Sequence, residues 1–371
     1  MAYPDPNRPN NSLPDLPPKA ELETRAVLKK CINAGTALME LKKSAEMLPN
    51  ETTLINTLPL LEAQASSEIE NIVTTTDRLF QAASLTAEKF DPATKEALKY
   101  SKALLEGFQL LSQKPLNTTT AEQICSRIKG VQMTVRSGHG TALAKDGTGE
   151  IIYTPPEGEA LLRQKLANWE EFLHSDSDIN ALVKMAVLHY QFEAIHPFTD
   201  GNGRTGRILN LLYLVDQKQL RTPILYLSRY IIQNRQAYYD KIQNVTMKGE
   251  WEEWVLYMLD AVEKTSNWTT AKVNAILKLH KSLRQFLKYQ MPKIYSHELL
   301  NQLFKQPYCR IANLVEAGVA ERQTASTYLK ALSRAGVLSE IKIGREKLFI
   351  NTRLLSILLT ERNDHAPFRD R

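Results

Sequence analysis

His196-Pro197-Phe198-Thr199-Asp200-Gly201-Asn202-Gly203-Arg204-Thr205-Gly206-Arg207 is far more informative than any other segment of this chain. Leu188 to Ile195 ahead of it is helical in pattern, and Pro197 disfavours a helical backbone at the residue before it. His196 therefore stands at a helix end, aimed into a loop. Glycines at 201, 203 and 206 let backbone N–H groups approach an anion closely. A new helix follows, read over Thr205 to Val215, and a helix N-terminus favours negative charge. Arg204 and Arg207 are three apart, on one helix face. Asp200 is a hard oxygen ligand suited to Mg²⁺. Together these residues describe a Mg–triphosphate cradle with a general base at its mouth. Gly201-x-Gly203-x-x-Gly206 formally matches a dinucleotide fingerprint, but it follows a helix and no βαβ unit surrounds it. The Lys-Ser/Thr pair of a P-loop is missing. His189, Glu193 and His196 at i, i+4 and i+7 form a weak zinc pattern, outweighed by core-edge and solvated readings of the first two.

Outward from this stretch the chain is helical. Leu22 to about Lys129 is rich in Leu, Ala, Glu and Lys and nearly free of Gly. A helix is expected after the Asn56-Thr57-Leu58-Pro59 boundary, with Pro59 in its first turn. Others are expected over Thr86 to Lys102, over Leu104 to Leu111, and from Thr120 with Thr119 or Thr120 as cap. Residues 131–156 change texture, with four glycines among β-formers. Asp146-Gly147 is a hairpin-turn signal and Pro155-Pro156 ends the second arm, so a short β-hairpin flap interrupts the helices. Helices resume over Glu159 to His174, Ile179 to Ile195 and Asn234 to Val245, with one or two more from Glu250 to about Tyr289. In the tail, Pro307 to Gly318 and Ala320 to Ala335 read as helices, and Gly336 fits a C-cap. Two strands follow around Gly344-Arg345, a winged-helix order. Lys305 to Arg353 holds nine Lys/Arg against four Asp/Glu, a net of +5.

The 371 residues suggest two to three domains, and 43% hydrophobic with 24% charged residues is ordinary for a soluble globular chain. That excludes wholesale disorder. A formal net charge of +6 is mild beside that of a dedicated nucleic-acid scaffold. Three widely spaced cysteines exclude a disulfide framework or a Cys-based zinc site and make a reducing cytosol the simplest home. Ile208 to Val215 is too short to span a bilayer. Six prolines in the first twenty residues, with no apolar core, read as an extended arm and not a secretory signal.

The stretch from His196 to Arg207 resembles the signature of the Fic family, His-x-Phe-x-Asp/Glu-Gly-Asn-Gly-Arg-x-x-Arg in outline. The resemblance extends to Glu150-Ile151-Ile152-Tyr153-Thr154-Pro155-Pro156 as the flap and to Ala237-Tyr238-Tyr239 as the adenine-side helix. Ser66-Ser67-Glu68-Ile69-Glu70-Asn71 resembles the family's inhibitory pattern, Ser/Thr-x-x-x-Glu-Gly/Asn. With the arm, the N-terminal helices and the winged-helix tail, the layout resembles SoFic-type bacterial enzymes. The resemblance implies an all-α Fic fold with a β-hairpin flap and a small C-terminal winged-helix domain. Its parts are an arm at 1–20, an N-terminal helical region with the inhibitory helix at 21–129, a Fic core at 130–290 and a winged helix at 291–371.

It also implies transfer of AMP from ATP to a Tyr, Thr or Ser hydroxyl of a target protein. His196 would be the general base and Asp200 the Mg²⁺ ligand. Asn202, with the Gly201 and Gly203 backbone, would stabilise the α-phosphate in flight. Arg204 and Arg207 would hold the β- and γ-phosphates. Glu150 to Tyr153, Thr205, Gly206 and Tyr239 would line the ATP site. Glu70, beside Ser66 and Asn71, would compete for Arg207 and restrain the enzyme. Family members that act as kinases carry Lys where this chain has Gly203. The expected setting is cytoplasmic, with no membrane; self-AMPylation, DNA at the winged helix and a homodimer are compatible with it. The rival reading is a nucleotide-sensing DNA-binding regulator acting through the tail, and a third is transfer of a different group, such as phosphate or phosphocholine.

Overall fold

The computed structural model describes residues 4–49, 52–85, 90–145, 147–343 and 346–368. Asp146 of the expected turn, the expected helix start at Thr86 and the Gly344-Arg345 link between the tail strands lie outside the described residues.

Two helices form the buried centre. α7 (Ala181–Ile195) is enclosed all round, every residue but Ala181 and Glu193 being buried. A helix apolar on all faces needs neighbours on all sides. α8 (Asn202–Asp216) packs along it and is nearly as enclosed. The N-terminal helices α1 (Arg25–Glu46), α2 (Thr52–Ile69), α3 (Thr76–Ser84), α4 (Pro92–Leu110) and α5 (Thr118–Lys129) supply part of the covering. α6 (Glu159–His174), α9 (Leu227–Gln233), α10 (Arg235–Lys248) and the 40-residue α11 (Trp251–Gln290) supply the rest, and α1 runs along α11. The flap is β1 (Leu143–Ala144) against β2 (Ile151–Tyr153), antiparallel, with Leu143 opposite Tyr153.

Several boundaries differ from expectation for physical reasons. Pro59 lies inside α2, not at its start. Leu54, Leu58, Leu60 and Leu61 around it are all buried, so tertiary packing overrides the local stop. The two helices expected on either side of Ala103 are one, α4, capped by Asp91, whose Oδ1 accepts from the Thr94 N–H at 2.8 Å. Asn117, not a threonine, caps α5.

The tail holds α12 (His297–Lys305), β3 (Tyr308–Cys309), α13 (Ile311–Glu316), α14 (Arg322–Arg334), β4 (Ser339–Ile343), β5 (Glu346–Ile350) and α15 (Thr352–Leu359). The segment from Pro307 is therefore a short strand before a short helix. β3 adds to β5 to give an antiparallel sheet ordered β3-β5-β4. The tail docks on the N-terminal helices. The Tyr308 hydroxyl reaches Asp77 Oδ1, and Gln306 Nε2 donates to Ser84 Oγ at 2.9 Å. On the other side Arg229 pairs with Glu361 at 2.7 Å, and Lys272 Nζ donates to the Thr360 carbonyl at 2.7 Å.

The N-terminal arm lies across the core, one of the two courses its composition allows. Leu13 and Leu16 are buried. Asn168 on α6 both accepts from the Leu16 N–H at 2.7 Å and donates to its carbonyl at 3.0 Å. Gln191 on α7 donates to the Pro14 carbonyl at 2.9 Å. No described helix is long and apolar enough to cross a membrane. All three cysteines are free and buried.

Candidate active site

α7 ends on His196, which takes the left-handed conformation at φ 50° and ψ 59°. That is a rare place for a residue with a Cβ. The turn after it is held by Asn202. Its Oδ1 accepts from the Phe198 N–H and its Nδ2 donates to the Phe198 carbonyl, both at 2.8 Å. Phe198 is fully buried against Phe192. Gly201, at φ 85°, is the N-cap of α8, which begins three residues earlier than its pattern suggested. Asn202, Gly203 and Arg204 thus form the first turn, whose N–H groups have no preceding turn to bond. The result is a helix end with free N–H groups, of the kind that favours negative charge, with an imidazole beside it.

Every charged group of the cradle meets an opposite charge from the N-terminal helices. Arg207 is 1% exposed. Its Nε donates to Ser66 Oγ at 2.8 Å, and its second amino nitrogen donates to the Ser66 carbonyl at 2.9 Å and to Glu70 Oε1 at 2.8 Å. Burial opposes the Arg207 charge, but Glu70 holds it above its ordinary value. Arg204 pairs with Glu96 of α4 at 2.6 Å. Asp200 pairs with Lys129, the last residue of α5, which also lies 3.8 Å from Glu96. Burial would raise the Asp200 carboxyl; Lys129 and then Arg204 more than offset this and keep it ionised.

Ser66 on α2 and Glu70, the residue just past its end, lie on one side, and Glu62 continues that side a turn earlier. Glu62 is buried and accepts from the Ser228 N–H at 2.9 Å and the Tyr100 hydroxyl at 3.2 Å, anchoring α2 to α9 and α4. Burial pushes its carboxyl up to about 7 against those donors. Asn71, at φ 61°, turns the chain away after Glu70.

His196 is the titratable group at the mouth. Burial, and then the charge of Arg136, lower its imidazole to about 4. Its Nδ1 is enclosed, and the Glu193 carbonyl acts on the ring. At neutral pH the ring is a free base.

The structure thus brings together His196, Asp200, Gly201, Asn202, Gly203, Arg204, Arg207, Ser66 and Glu70. A Cβ at Gly203 would come within 2.4 Å of Glu70 Oε1, so this glycine faces the cradle. Other expected nucleotide contacts shape the cradle from behind. The Thr205 hydroxyl is buried and donates to the Gly201 carbonyl at 2.8 Å. Gly206 lets α8 approach α7, because a Cβ there would meet Glu193 Oε1 at 2.5 Å. The Tyr153 hydroxyl donates to the Ala194 carbonyl at 2.8 Å, tying the flap to α7. Glu150 and Ile151 are exposed on the flap, and Ile152 is half-buried. Half-buried Tyr239 packs on Tyr238, with the Arg235 guanidinium 5.8 Å from its ring. Asn202, expected to touch phosphate, spends its side chain on the loop. His189 is buried and Glu193 half-buried, and His189 Nε2 bonds the Tyr238 hydroxyl at 2.8 Å. Among the described residues no cluster of three or more His, Cys, Asp or Glu is poised for a metal. Glu96, Lys129, Glu62 and Arg136 went unmarked in the sequence, where each is an ordinary charged residue in an unremarkable context.

The molecule is a mostly helical protein in which one loop–helix junction gathers a histidine, an aspartate and two buried arginines, with Glu70 and Glu96 paired to those arginines. Comparison with known proteins narrows it. Residues 28–109 match the Fic/DOC family N-terminal model, 118–214 the Fic/DOC family model, and 279–354 the C-terminal domain of SoFic-like protein adenylyltransferases. The chain belongs to the Fic family. It is 28% identical over 184 residues to the "Probable protein adenylyltransferase" of Aquifex aeolicus (strain VF5), covering 47% of this chain and 54% of that one. It is 32% identical over 126 residues to the protein adenylyltransferase Fic of Drosophila melanogaster, covering 33% of this chain and 24% of that one. The chain thus spans about half of the first relative and about a quarter of the second. A Fic family protein from Desulfovibrio desulfuricans G20 shares the fold at a TM-score of 0.55 and 16% identity, over 88% of this chain and 96% of that one.

Proposed function

We propose that this protein transfers AMP from ATP to a protein hydroxyl and that its N-terminal helices hold it in check. The observation that carries the reading is the junction of α7 and α8, where a free-base imidazole, a helix N-terminus and two buried arginines come together. The hydroxyl oxygen bonds to the α-phosphorus as the bridging P–O bond to the β-phosphate breaks. Pyrophosphate leaves, and the hydroxyl proton passes to His196 Nε2. The N–H groups of the first turn of α8 face the charge that builds on the α-phosphate oxygens. Arg204 and Arg207 hold the outer phosphates by their planar forks. Asp200, ionised and 59% exposed at its side chain, fits Mg²⁺, which is held through one or two carboxylates together with substrate phosphates. When bound, that ion neutralises phosphate charge.

Glu70 pairs with Arg207 and Glu96 with Arg204, where this reading puts phosphates, and Lys129 pairs with Asp200, where it puts a cation. A charge-assisted bond such as Glu70–Arg207 contributes roughly 1.5–3 kcal/mol. Displacing it accounts for about one to two decades of restraint. The test is α-labelled ATP with Mg²⁺ and a bacterial lysate, followed by mass spectrometry of labelled proteins. Glu70→Gly raises labelling, including self-labelling, and His196→Ala abolishes it, a loss on the order of 10²–10⁴-fold. Labelling by the His196→Ala enzyme at the wild-type level would sink the assignment. A second reading, DNA binding by the tail, is favoured by Arg322, Gln323, Thr327 and Lys330, exposed together on α14. A salt-dependent shift of duplex DNA by the full chain would support it.

A further inference from the structure

One buried cation in the core has no place in the chemistry above. Arg136 lies on the extended segment that leads from α5 into the flap and is 4% exposed. Its backbone N–H donates to the Pro197 carbonyl at 2.9 Å. Its Nε donates to the His196 carbonyl at 2.9 Å. One amino nitrogen donates to the carbonyl of Pro156, where the flap ends. The other is buried with no partner among the described residues. The side chain thus takes its bonds from two places that the sequence separates, the residue proposed as base and the exit of the flap.

His196 needs such a clamp. With Asn71 and Lys218 it is one of three non-glycine residues at positive φ among the described residues. A left-handed residue with a Cβ is costly and persists where its surroundings over-determine it. The His196 N–H is fixed by the Phe192 carbonyl at 3.0 Å. The His196 carbonyl is fixed by Arg136, so both peptide groups of the strained residue are held.

We infer that Arg136 is the positioning residue for His196: its buried guanidinium pins the His196 carbonyl in the left-handed turn and couples that turn to the flap exit at Pro156. Arg136 touches neither phosphate nor target; it acts through His196. A lysine keeps the charge but cannot reproduce a planar fork that serves two carbonyls. The charge has a second effect, on the ring itself. Burial is the main reason the imidazole is held low, and Arg136 is the next. The other groups acting on the ring pull upward: the Glu193 carbonyl on α7, the Glu70 carboxylate on α2 and the Asp200 carboxylate in the loop.

The inference rests on the AMP-transfer reading for its kinetic arm only; its titration arm does not need activity. Arg136→Gln, Arg136→Lys and wild type are prepared as full chains, each also with Glu70→Gly. Ring titrations of labelled histidines by NMR, assigned by loss of one signal in His196→Ala, give the His196 midpoint directly. In Arg136→Gln the midpoint rises from about 4 toward the ordinary histidine value, and in Arg136→Lys it stays low. In the Glu70→Gly background, Arg136→Gln loses about 10²-fold in kcat with little change in KM for ATP, the signature of a misplaced group. Arg136→Lys recovers only part of that loss. An unmoved midpoint in Arg136→Gln, or wild-type kcat in either variant, overturns the inference. If Arg136→Gln does not fold, Arg136→Lys decides: wild-type kcat there would show that the fork is not needed. Absence of transfer by the Glu70→Gly parent would count against the AMP-transfer reading and leave the titration to decide the role of Arg136.

Discussion

Glu193 shows how tightly the residues of the cradle are coupled. It stands one turn before His196, with its Oε1 buried and unpartnered among the described residues beside Gly206. Burial raises its carboxyl to about 7, with Arg207 opposing and Glu70 assisting. A carboxyl raised on folding is held protonated by the native state, so its contribution is full below about pH 4.5 and is lost as pH rises through 7. The native state at pH 8 therefore carries a penalty on the order of 3 kcal/mol from this group. Glu193→Gln keeps the shape and removes the titration. Calorimetry across pH 5 to 8 should show wild type losing stability relative to this variant as pH rises; a constant difference would exclude Glu193 as the source. His189, lowered to about 3 by burial and by Arg207, is common to both proteins and cancels in the comparison. At this scale legibility followed sequence distance. His196, Asp200, Arg204 and Arg207 fall within twelve residues, so their types and spacing declared the cradle. Glu96 reaches Arg204 across 108 residues and Arg136 reaches His196 across 60, and no local pattern encodes such meetings.

The elements carry the opposition between restraint and chemistry. α8 supplies the arginines; the end of α2 and α4 set Glu70 and Glu96 against them, and α5 sets Lys129 against Asp200. The sequence pointed to the contact that Ser66 and Glu70 make with Arg207, because the two share a helix face within a pattern that resembles the family's. The parts played by α4 and α5 stayed hidden, since a Glu in mid-helix and a Lys in a last turn are what any solvated helix carries. Boundaries misread in the sequence were decided by packing and by side-chain caps. Pro59 is carried through α2 by apolar neighbours, and α8 starts early because Asn202 closes the turn onto Phe198. The Glu96–Arg204 pair can be tested apart from Glu70–Arg207. Arg204 is 2% exposed, so Glu96→Gln leaves a nearly buried cation poorly paired. The ligand-free variant should melt lower, since breaking such a pair costs up to about 3–5 kcal/mol. Because the phosphate no longer competes with Glu96, ATP with Mg²⁺ should stabilise the variant more than it stabilises wild type, with affinity about 3- to 10-fold tighter. Thermal shift with and without ATP measures both; an equal ATP-induced shift in the two proteins would remove Glu96 from the restraint.

Across the whole molecule, the flap exit is where the distant parts meet. Arg136 holds Pro156 from inside. The N-terminal arm holds the adjoining residues from outside. The Thr154 hydroxyl donates to the Pro6 carbonyl at 2.6 Å, the Thr154 carbonyl accepts from the Asn10 N–H at 3.0 Å, and Asn11 Oδ1 accepts from the Glu157 N–H at 3.0 Å. Further along, Lys165 of α6 pairs with Asp15 at 2.8 Å, and Leu13 and Leu16 enter the core. The arm therefore belongs to the folded unit, and its two leucines contribute roughly 1.5–3 kcal/mol each by burial. Its prolines make this attachment inexpensive, since an extended proline-rich segment loses less freedom on docking. Removing residues 1–20 should lower the melting temperature and free one side of the flap exit. In the Glu70→Gly background the truncated protein should bind ATP as before, because Arg204, Arg207 and the N-terminus of α8 are untouched. Its kcat for transfer to a protein hydroxyl should fall by about tenfold or more, because His196 and the flap are positioned through the same junction. Leu13→Ala, which keeps the arm's backbone contacts, should lose stability by about 2–5 kcal/mol with a smaller loss of kcat. Calorimetry, ATP titration and labelling with α-labelled ATP on the same three proteins decide the matter. A truncated protein that melts lower yet transfers AMP at the parent rate would mean that the arm only stabilises the fold and that the flap exit needs no outer grip.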